Sequence, residues 1–156
     1  MQIQLINVAQ KMPAWVDIAC EEYQRRLPRE IDLKIVTLPL TARKSKQSSD
    51  SMKKEEASRI LQKVTAGSLN LALDERGADW SSQQWSGQLK RWMFENPQVN
   101  ILIGGPDGLA EECLDICQHK VALGRMTMPH ALVRVVIVEQ LYRAWTILQG
   151  HPYHRE

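Results

Sequence analysis

The sequence LGRMTMPHALVRVVIVEQLYRAW, from Leu123 to Trp145, joins a short polar loop to a nearly all-apolar helix. Apolar side chains cover most of the circumference of this predicted helix, Ala131–Gln149, so it cannot lie on a solvated surface. They are Leu132, Val133, Val135, Val136, Ile137, Val138, Leu141, Trp145, Ile147 and Leu148. We therefore predict that the helix is buried in the core, in a subunit interface, or in both.

Three charged residues, Arg134, Glu139 and Arg143, interrupt this apolar helix. Charges beside buried surface normally need partners or serve a function. Glu139 and Arg143 stand four residues apart, so a helix-stabilising ion pair explains those two equally well.

Apolar runs of strand length alternate with helical patterns along the whole chain. The predicted strands are Gln2–Val8, Ile31–Leu38, Leu69–Leu73, Val99–Ile103 and Val121–Leu123, and the other predicted helices are Ala14–Leu27, Met52–Val64, Gln83–Phe94 and Leu109–Cys117. Such alternation predicts an α/β fold with a mostly parallel sheet flanked by helices. At 156 residues we expect one domain, 1–156. General topology rules favour an unknotted, doubly wound sheet.

Composition and charge limit the function classes. The N-terminus has no basic start followed by an apolar run, and no stretch reaches about 18 apolar residues, so we expect a cytoplasmic protein without membrane attachment. Cys20, Cys113 and Cys117 lack the paired spacing of a zinc site, which favours reduced core thiols and no metal. A net charge of +2 does not by itself indicate nucleic-acid binding. The basic segment Thr41–Asp50 is either a solvated loop or a flexible arm whose Arg43, Lys44 and Lys46 contact phosphate.

Ile101–Gly108, ILIGGPDG, reads as a buried strand that ends in a glycine-rich turn before a helix. Glycines let backbone N–H groups and a helix N-terminus approach a ligand closely. Ligands of open parallel sheets collect at the carboxyl ends of the strands, where this turn is expected. The motif matches neither a dinucleotide fingerprint nor a P-loop, so a purely structural turn is the alternative.

Leu123–His130 repeats this arrangement at a second strand end, which we expect to neighbour the first. Pro129 restricts Met128 to an extended conformation just before the long helix. Leu73-Asp74, at the end of a third strand, provides a third wall. Apolar walls with backbone polar groups suit an adenine ring and an apolar thioether or sulfonium ligand.

The C-terminal HPYHRE, His151–Glu156, is unusually rich in aromatic and basic residues for a terminus. Tyr and His side chains stack on bases and Arg binds phosphate, so a nucleic-acid contact is one interpretation and packing against a neighbouring subunit is the other. A structural role is favoured for His130 over proton transfer, and His119 is expected at the surface. The five tryptophans are expected in the core and interface.

Six ordered motifs make the chain similar to a known family: KMPAWV near Met12, EYQRRL at Glu22–Leu27, IGGPDG at Ile103–Gly108, MTMPHALVRV at Met126–Val135, EQLYRAW at Glu139–Trp145 and the terminal HPYHRE. Together they resemble the RlmH family, small SPOUT-class methyltransferases that modify N3 of a pseudouridine in 23S (large-subunit) rRNA. The resemblance covers essentially the whole chain. It implies S-adenosylmethionine as methyl donor, a homodimer, and a deep trefoil knot in the C-terminal half.

The resemblance also implies where the donor binds. It places donor contacts at Leu73, Gly105, Gly124, Arg125, Met126, Thr127, Met128 and Pro129. These residues lie at the same three strand ends that the sequence pattern predicts for a ligand pocket. Removal of the N3 proton requires a base or a solvent path. His154 is our first candidate for that base, with Tyr153 and Arg155 as substrate contacts.

Alternatives concern the roles of two arginines, the form of the substrate and the class of function. Arg134 and Arg143 are either phosphate contacts or dimer-interface groups. Because no RNA-binding domain is evident, we expect the substrate to be an assembled ribosome, with each substrate groove built from two subunits. The rival interpretations are another nucleotide-cofactor enzyme that binds NAD or ATP, a non-catalytic ribosome-associated RNA-binding protein, and an oligomeric α/β protein whose loops are only structural.

Overall fold

Five parallel strands form one sheet in the order β2-β1-β4-β3-β5. The computed structural model describes residues 1–42 and 48–153. The strands are β1 (Gln2–Val8), β2 (Asp32–Leu38), β3 (Leu69–Asp79), β4 (Gln98–Ile103) and β5 (His119–Ala122). The predicted α/β class and parallel sheet are confirmed.

Helices connect the strands and cover both faces of the sheet. They are α1 (Ala14–Arg26), α2 (Ser49–Leu61), α3 (Ser82–Glu95), α4 (Glu111–Asp115) and α5 (His130–Leu148). α3 begins with a complete capping box, in which the Ser81 hydroxyl accepts from the Gln84 backbone N–H and the Gln84 side chain accepts from the Ser81 N–H. Two of the backbone N–H groups at the start of α3 are therefore satisfied by side chains.

Three predicted elements differ from the structure in their boundaries. β3 runs to Asp79 rather than Leu73, because it pairs with β5 again after an irregularity. α2 begins at Ser49, three residues before the predicted Met52, because the Ser48 hydroxyl caps the N–H of Ser51. α4 is only five residues long, since the chain remains extended at Ala110.

Two apolar clusters lie on opposite faces of the sheet. Adjacent strand residues point to opposite faces, so Leu5 and Ile101 join the cluster beneath α1, α3 and α5, whereas Ile6 and Leu102 join the cluster beneath α2 and α4. Trp85 and Trp92 of α3 are fully buried in the first cluster. Trp15 lies outside the core with 48% of its surface exposed, so for this residue the interface remains a prediction.

The long apolar helix α5 is part core and part surface. Ile137, Val138 and Leu141 are buried, whereas Leu132 is 44% exposed. α5 packs against α1 and α3. Within residues 1–42 and 48–153, no helix has the length and apolarity needed to cross a membrane.

The cysteine prediction is confirmed for Cys20 and Cys113, which are buried and free; Cys117 is free and half-buried. Burial raises the pKa of Cys113 to about 11 and that of Cys117 to about 12. We expect both thiols to stay protonated at pH 8 and to react with iodoacetamide far more slowly in the folded chain than in urea, because the thiolate is the nucleophile. Mass spectrometry of timed samples measures this, and equal rates in both states would contradict it.

Candidate functional site

A cavity of about 450 Å³ opens at the carboxyl ends of β4 and β5 and beside residues 73–76 of β3. This is the edge at which parallel sheets bind ligands, and the volume suits a nucleoside-sized molecule. Its wall consists of Lys53, residues 73–76, residues 103–109, residues 121–124, Met126, Thr127, Met128, His130 and Val133.

β3 lies between the two loops that the sequence analysis brought together. The expectation that the loops follow neighbouring strands was wrong, because β4 and β5 each pair with β3 and not with one another. Leu73 pairs with Ile103 on one side and with Val121 on the other. Leu73-Asp74, predicted as a third wall at the side, therefore lies in the wall between the two loops.

The glycine-rich turn after β4 closes tightly on itself. The Gly108 N–H donates to the Gly105 carbonyl at 2.9 Å, and the two residues form an isolated bridge. A Cβ on Gly104 would lie 2.4 Å from the Gly108 carbonyl carbon and 2.6 Å from the Leu109 nitrogen. Only glycine permits this close backbone approach, which leaves the cavity bounded by backbone at this point.

The loop between β5 and α5 forms the opposite wall. Gly124 has φ +109°, a left-handed conformation that strains other residues. Of the eight predicted donor contacts, the structure brings six into the cavity wall: Leu73, Gly105, Gly124, Met126, Thr127 and Met128. Arg125 and Pro129 are exposed and lie outside the wall, and Pro129 precedes the first turn of α5.

Charged side chains that the sequence analysis did not assign also line this cavity. They are Lys53 of α2 and Glu75 and Arg76, which follow Asp74 in β3. No sequence signal places Lys53 there, because its position depends on how α2 packs on the sheet. His130 lines the cavity too, and burial lowers its pKa.

The C-terminal segment packs on α5 through Tyr153. The Tyr153 hydroxyl donates to Glu139 Oε1 at 3.0 Å, and its ring contacts Tyr142 with a 4.8 Å centroid separation. Arg143 donates through Nε to the same Glu139 oxygen at 2.9 Å, and its guanidinium carbon lies 5.0 Å from the Tyr153 ring centroid. The expected pair of Glu139 and Arg143 is therefore confirmed, and Tyr153 completes a three-residue cluster.

This cluster, Glu139–Arg143–Tyr153, lies away from the cavity. Val133 lines the cavity, whereas Glu139 lies about 9 Å further along the helix axis and about 120° around it, given ~3.6 residues per turn. The structure does not bring Tyr153 into the cavity wall. His154, Arg155 and the basic residues Arg43, Lys44 and Lys46 lie outside the described residues.

Arg134 lies at the contact between α5 and α1. Its side chain is 9% exposed and donates through Nη2 to Asp17 Oδ1 at 2.8 Å. Burial raises the pKa of the neighbouring Cys20 thiol, although the positive charge of Arg134 acts to lower it. An ion pair with the half-exposed Asp17 therefore holds the Arg134 side chain against its own chain.

Nothing in the described ranges 1–42 and 48–153 groups three or more His, Cys, Asp or Glu side chains to hold a metal ion. The cavity instead offers backbone groups at two turns, apolar side chains such as Leu73 and Val133, and several charges. A nucleoside with a flexible charged substituent fits that chemistry.

Comparison with known proteins gives full-length matches. A family model described as "Predicted SPOUT methyltransferase" matches residues 1–154. The chain is 44% identical over 156 residues to the ribosomal RNA large subunit methyltransferase H of Hahella chejuensis, and equally to that of Hydrogenovibrio crunogenus, covering 100% of both chains in each case. It is 40% identical over 155 residues to the protein of the same name from Pseudomonas putida, covering 99% of this chain and 100% of that protein.

Proposed function

Because the chain belongs to the SPOUT methyltransferases and, within them, to the RlmH family, we propose that it transfers a methyl group from S-adenosylmethionine to N3 of a pseudouridine in 23S rRNA. The observation that carries this proposal is the cavity at the ends of β4 and β5 and beside the middle of β3, whose wall holds six of the donor contacts that the resemblance implies. The relatives' name, a large-subunit rRNA methyltransferase, supports the substrate class.

The cavity residues divide into groups that suit different parts of the donor. Leu73, Met128 and Val133 supply apolar surface for an adenine ring, and the turns at Gly105 and Gly124 leave backbone groups accessible. When bound, S-adenosylmethionine supplies an electrophilic methyl group on a sulfonium sulfur. The role of the chain is to hold that group in line with the ring nitrogen, which can contribute several kcal/mol.

We also propose that the C-terminal half carries the deep trefoil knot of the family. The proposal is supported by the family match over residues 1–154 and by the two loops after β4 and β5, which line one cavity together with His130 and Val133 of α5. We treat residues 1–156 as one domain in the cytoplasm, where its rRNA substrate is found.

A homodimer is the proposed active form. Trp15 and Ile18 of α1 are 48% and 65% exposed, and Leu132 on the neighbouring helix α5 is 44% exposed. Large apolar side chains exposed on adjacent helices are typical of subunit interfaces. Because Tyr153 lies away from the cavity of its own protomer, the dimer would bring the C-terminal segment of one subunit to the cavity of its partner. Light scattering that gives a monomer at micromolar concentration would oppose this composite site.

The C-terminal residues are proposed to act on the target nucleotide. His154 is the candidate base for the N3 proton, and Tyr153 and Arg155 are candidate substrate contacts. We expect His154→Ala and Arg155→Ala each to lower single-turnover methyl transfer at least tenfold while leaving donor affinity unchanged. Variants that fold, bind the donor and transfer methyl at the normal rate would remove these residues from the reaction.

The reaction is tested by supplying labelled S-adenosylmethionine with assembled ribosomes or deproteinised rRNA from cells that lack this protein. We expect the label in N3-methylpseudouridine after nucleoside analysis, with ribosomes as the better substrate. Label in another nucleoside, or in neither substrate despite donor binding, would overturn the assigned target. Binding of NAD or ATP in place of S-adenosylmethionine would instead favour the rival cofactor enzyme.

A further inference from the structure

Four residues of β3, Asp74–Gly77, form a bulge at the cavity. Val121 of β5 pairs with Leu73 before the bulge and with Ala78 after it, so residues 74–77 have no register partner in β5. A Cβ on Gly77 would lie 2.5 Å from the Lys120 carbonyl carbon and the Val121 nitrogen. Glycine is therefore required where β3 returns to β5. Strand bulges beside functional sites redirect side chains.

The bulge directs three charged side chains to the cavity wall: Asp74, Glu75 and Arg76. The Asp74 carboxylate is only 10% exposed and accepts from Arg76 three times, from the backbone N–H at 2.8 Å and from Nε and Nη2 at 3.0 Å each. The Arg76 side chain is 70% exposed. Asp74 is thus fixed in the wall, whereas Arg76 reaches it from the solvent side.

Burial of an anion in a cavity wall is unfavourable unless a cation is close. The Arg76 side chain holds the pKa of Asp74 below its ordinary value, so the carboxylate is ionised at neutral pH. Among the described residues, the other charges in the wall are Glu75, Asp107 and Lys53, so the carboxylates of residues 1–42 and 48–153 outnumber their cations there. When Arg76 moves away, the wall presents an unpaired carboxylate to whatever occupies the cavity.

We infer that Asp74 selects the positively charged sulfonium donor over its neutral thioether product, and that Arg76 occupies the Asp74 carboxylate until the donor binds. The inference rests on the proposed function. A fixed anion in a cavity interacts with the added charge of the sulfonium and has no corresponding interaction with the thioether. Release of Arg76 from Asp74 exposes little new surface, because most of the Arg76 side chain already lies in solvent.

The test is calorimetric titration of the full-length protein with S-adenosylmethionine and, separately, S-adenosylhomocysteine. We expect Asp74→Asn to weaken binding of the donor about tenfold and to leave binding of the product nearly unchanged. Asp74→Glu retains the charge and should retain the preference. Glu75→Gln is the matched control, since Glu75 is a carboxylate of the same bulge that does not take part in the paired hydrogen bonds between Asp74 and Arg76. It should change the preference for donor over product less than Asp74→Asn does.

Arg76→Gln tests the second half of the inference. Removal of the competing cation should strengthen donor binding severalfold and leave product binding unchanged. Equal weakening of both ligands by Asp74→Asn, or weaker donor binding in Arg76→Gln, would show that the pair only supports the bulge and would overturn the inference. If Asp74→Asn does not fold, Asp74→Glu and Arg76→Gln decide between these results. Wild-type protein that binds neither ligand would instead refute the proposed function.

Discussion

Replacement of Gly104 by alanine is expected to abolish measurable binding of S-adenosylmethionine. The added Cβ would lie 2.4 Å from the Gly108 carbonyl carbon and 2.6 Å from its oxygen, and neither atom belongs to a side chain that can rotate away. The turn that carries Gly105 must therefore open. Because this turn and Leu73 form adjacent parts of the cavity wall, we expect a loss of affinity of more than a hundredfold, together with about 1–3 kcal/mol of stability.

Gly87→Ala is the matched control for this prediction. Gly87 lies in α3, and a Cβ there meets no heavy atom within 4 Å. The same chemical change should raise stability by up to roughly 1 kcal/mol, because alanine is the better helix former, and should leave donor affinity unchanged. Calorimetry and thermal unfolding of both variants measure the two effects. Wild-type donor affinity in a folded Gly104→Ala variant would mean that the turn does not bound the donor site.

The two loops of the site could be predicted because glycine and proline act locally. IGGPDG and the segment before Pro129 indicate irregular backbone between a strand and a helix. The structure places both segments in the cavity wall. Strand order has no comparable local signal. That β3 lies between β4 and β5 depends on packing across the whole sheet, so Leu73 was assigned to the side of the site rather than to its centre.

The bulge of β3 was missed for a different reason. Asp74, Glu75 and Arg76 are charged residues followed by Gly77, a composition that indicates a loop. Renewed pairing of Ala78 and Asp79 with β5 keeps this segment in the strand and directs its charges to the cavity. A tertiary contact therefore overrode the local preference. The proposed knot is likewise a property of chain path, which periodicity and composition do not encode.

The second large effect is expected from Glu139→Gln. Glu139 accepts from both the Tyr153 hydroxyl and Arg143, and its side chain is only 16% exposed. Hydrogen bonds to a charged acceptor contribute about 1.5–3 kcal/mol each. Loss of the carboxylate charge should free the C-terminal segment and misplace Tyr153 with respect to the cavity that it would reach in the proposed dimer. We expect methyl transfer in a single turnover to fall at least tenfold, with donor affinity unchanged because Glu139 does not line the cavity.

Combination with Tyr153→Phe separates positioning from a general loss of stability. Phenylalanine keeps the ring that packs on Tyr142 but cannot donate to Glu139. If Glu139 acts through this hydrogen bond, the double variant should transfer methyl no more slowly than the slower single variant. Asp32→Asn is the control, since it removes an exposed carboxylate paired with Lys34 on β2, and it should leave the rate unchanged. Fully multiplicative rate losses in the double variant, or a normal rate in Glu139→Gln, would mean that Glu139 does not position Tyr153 for the reaction.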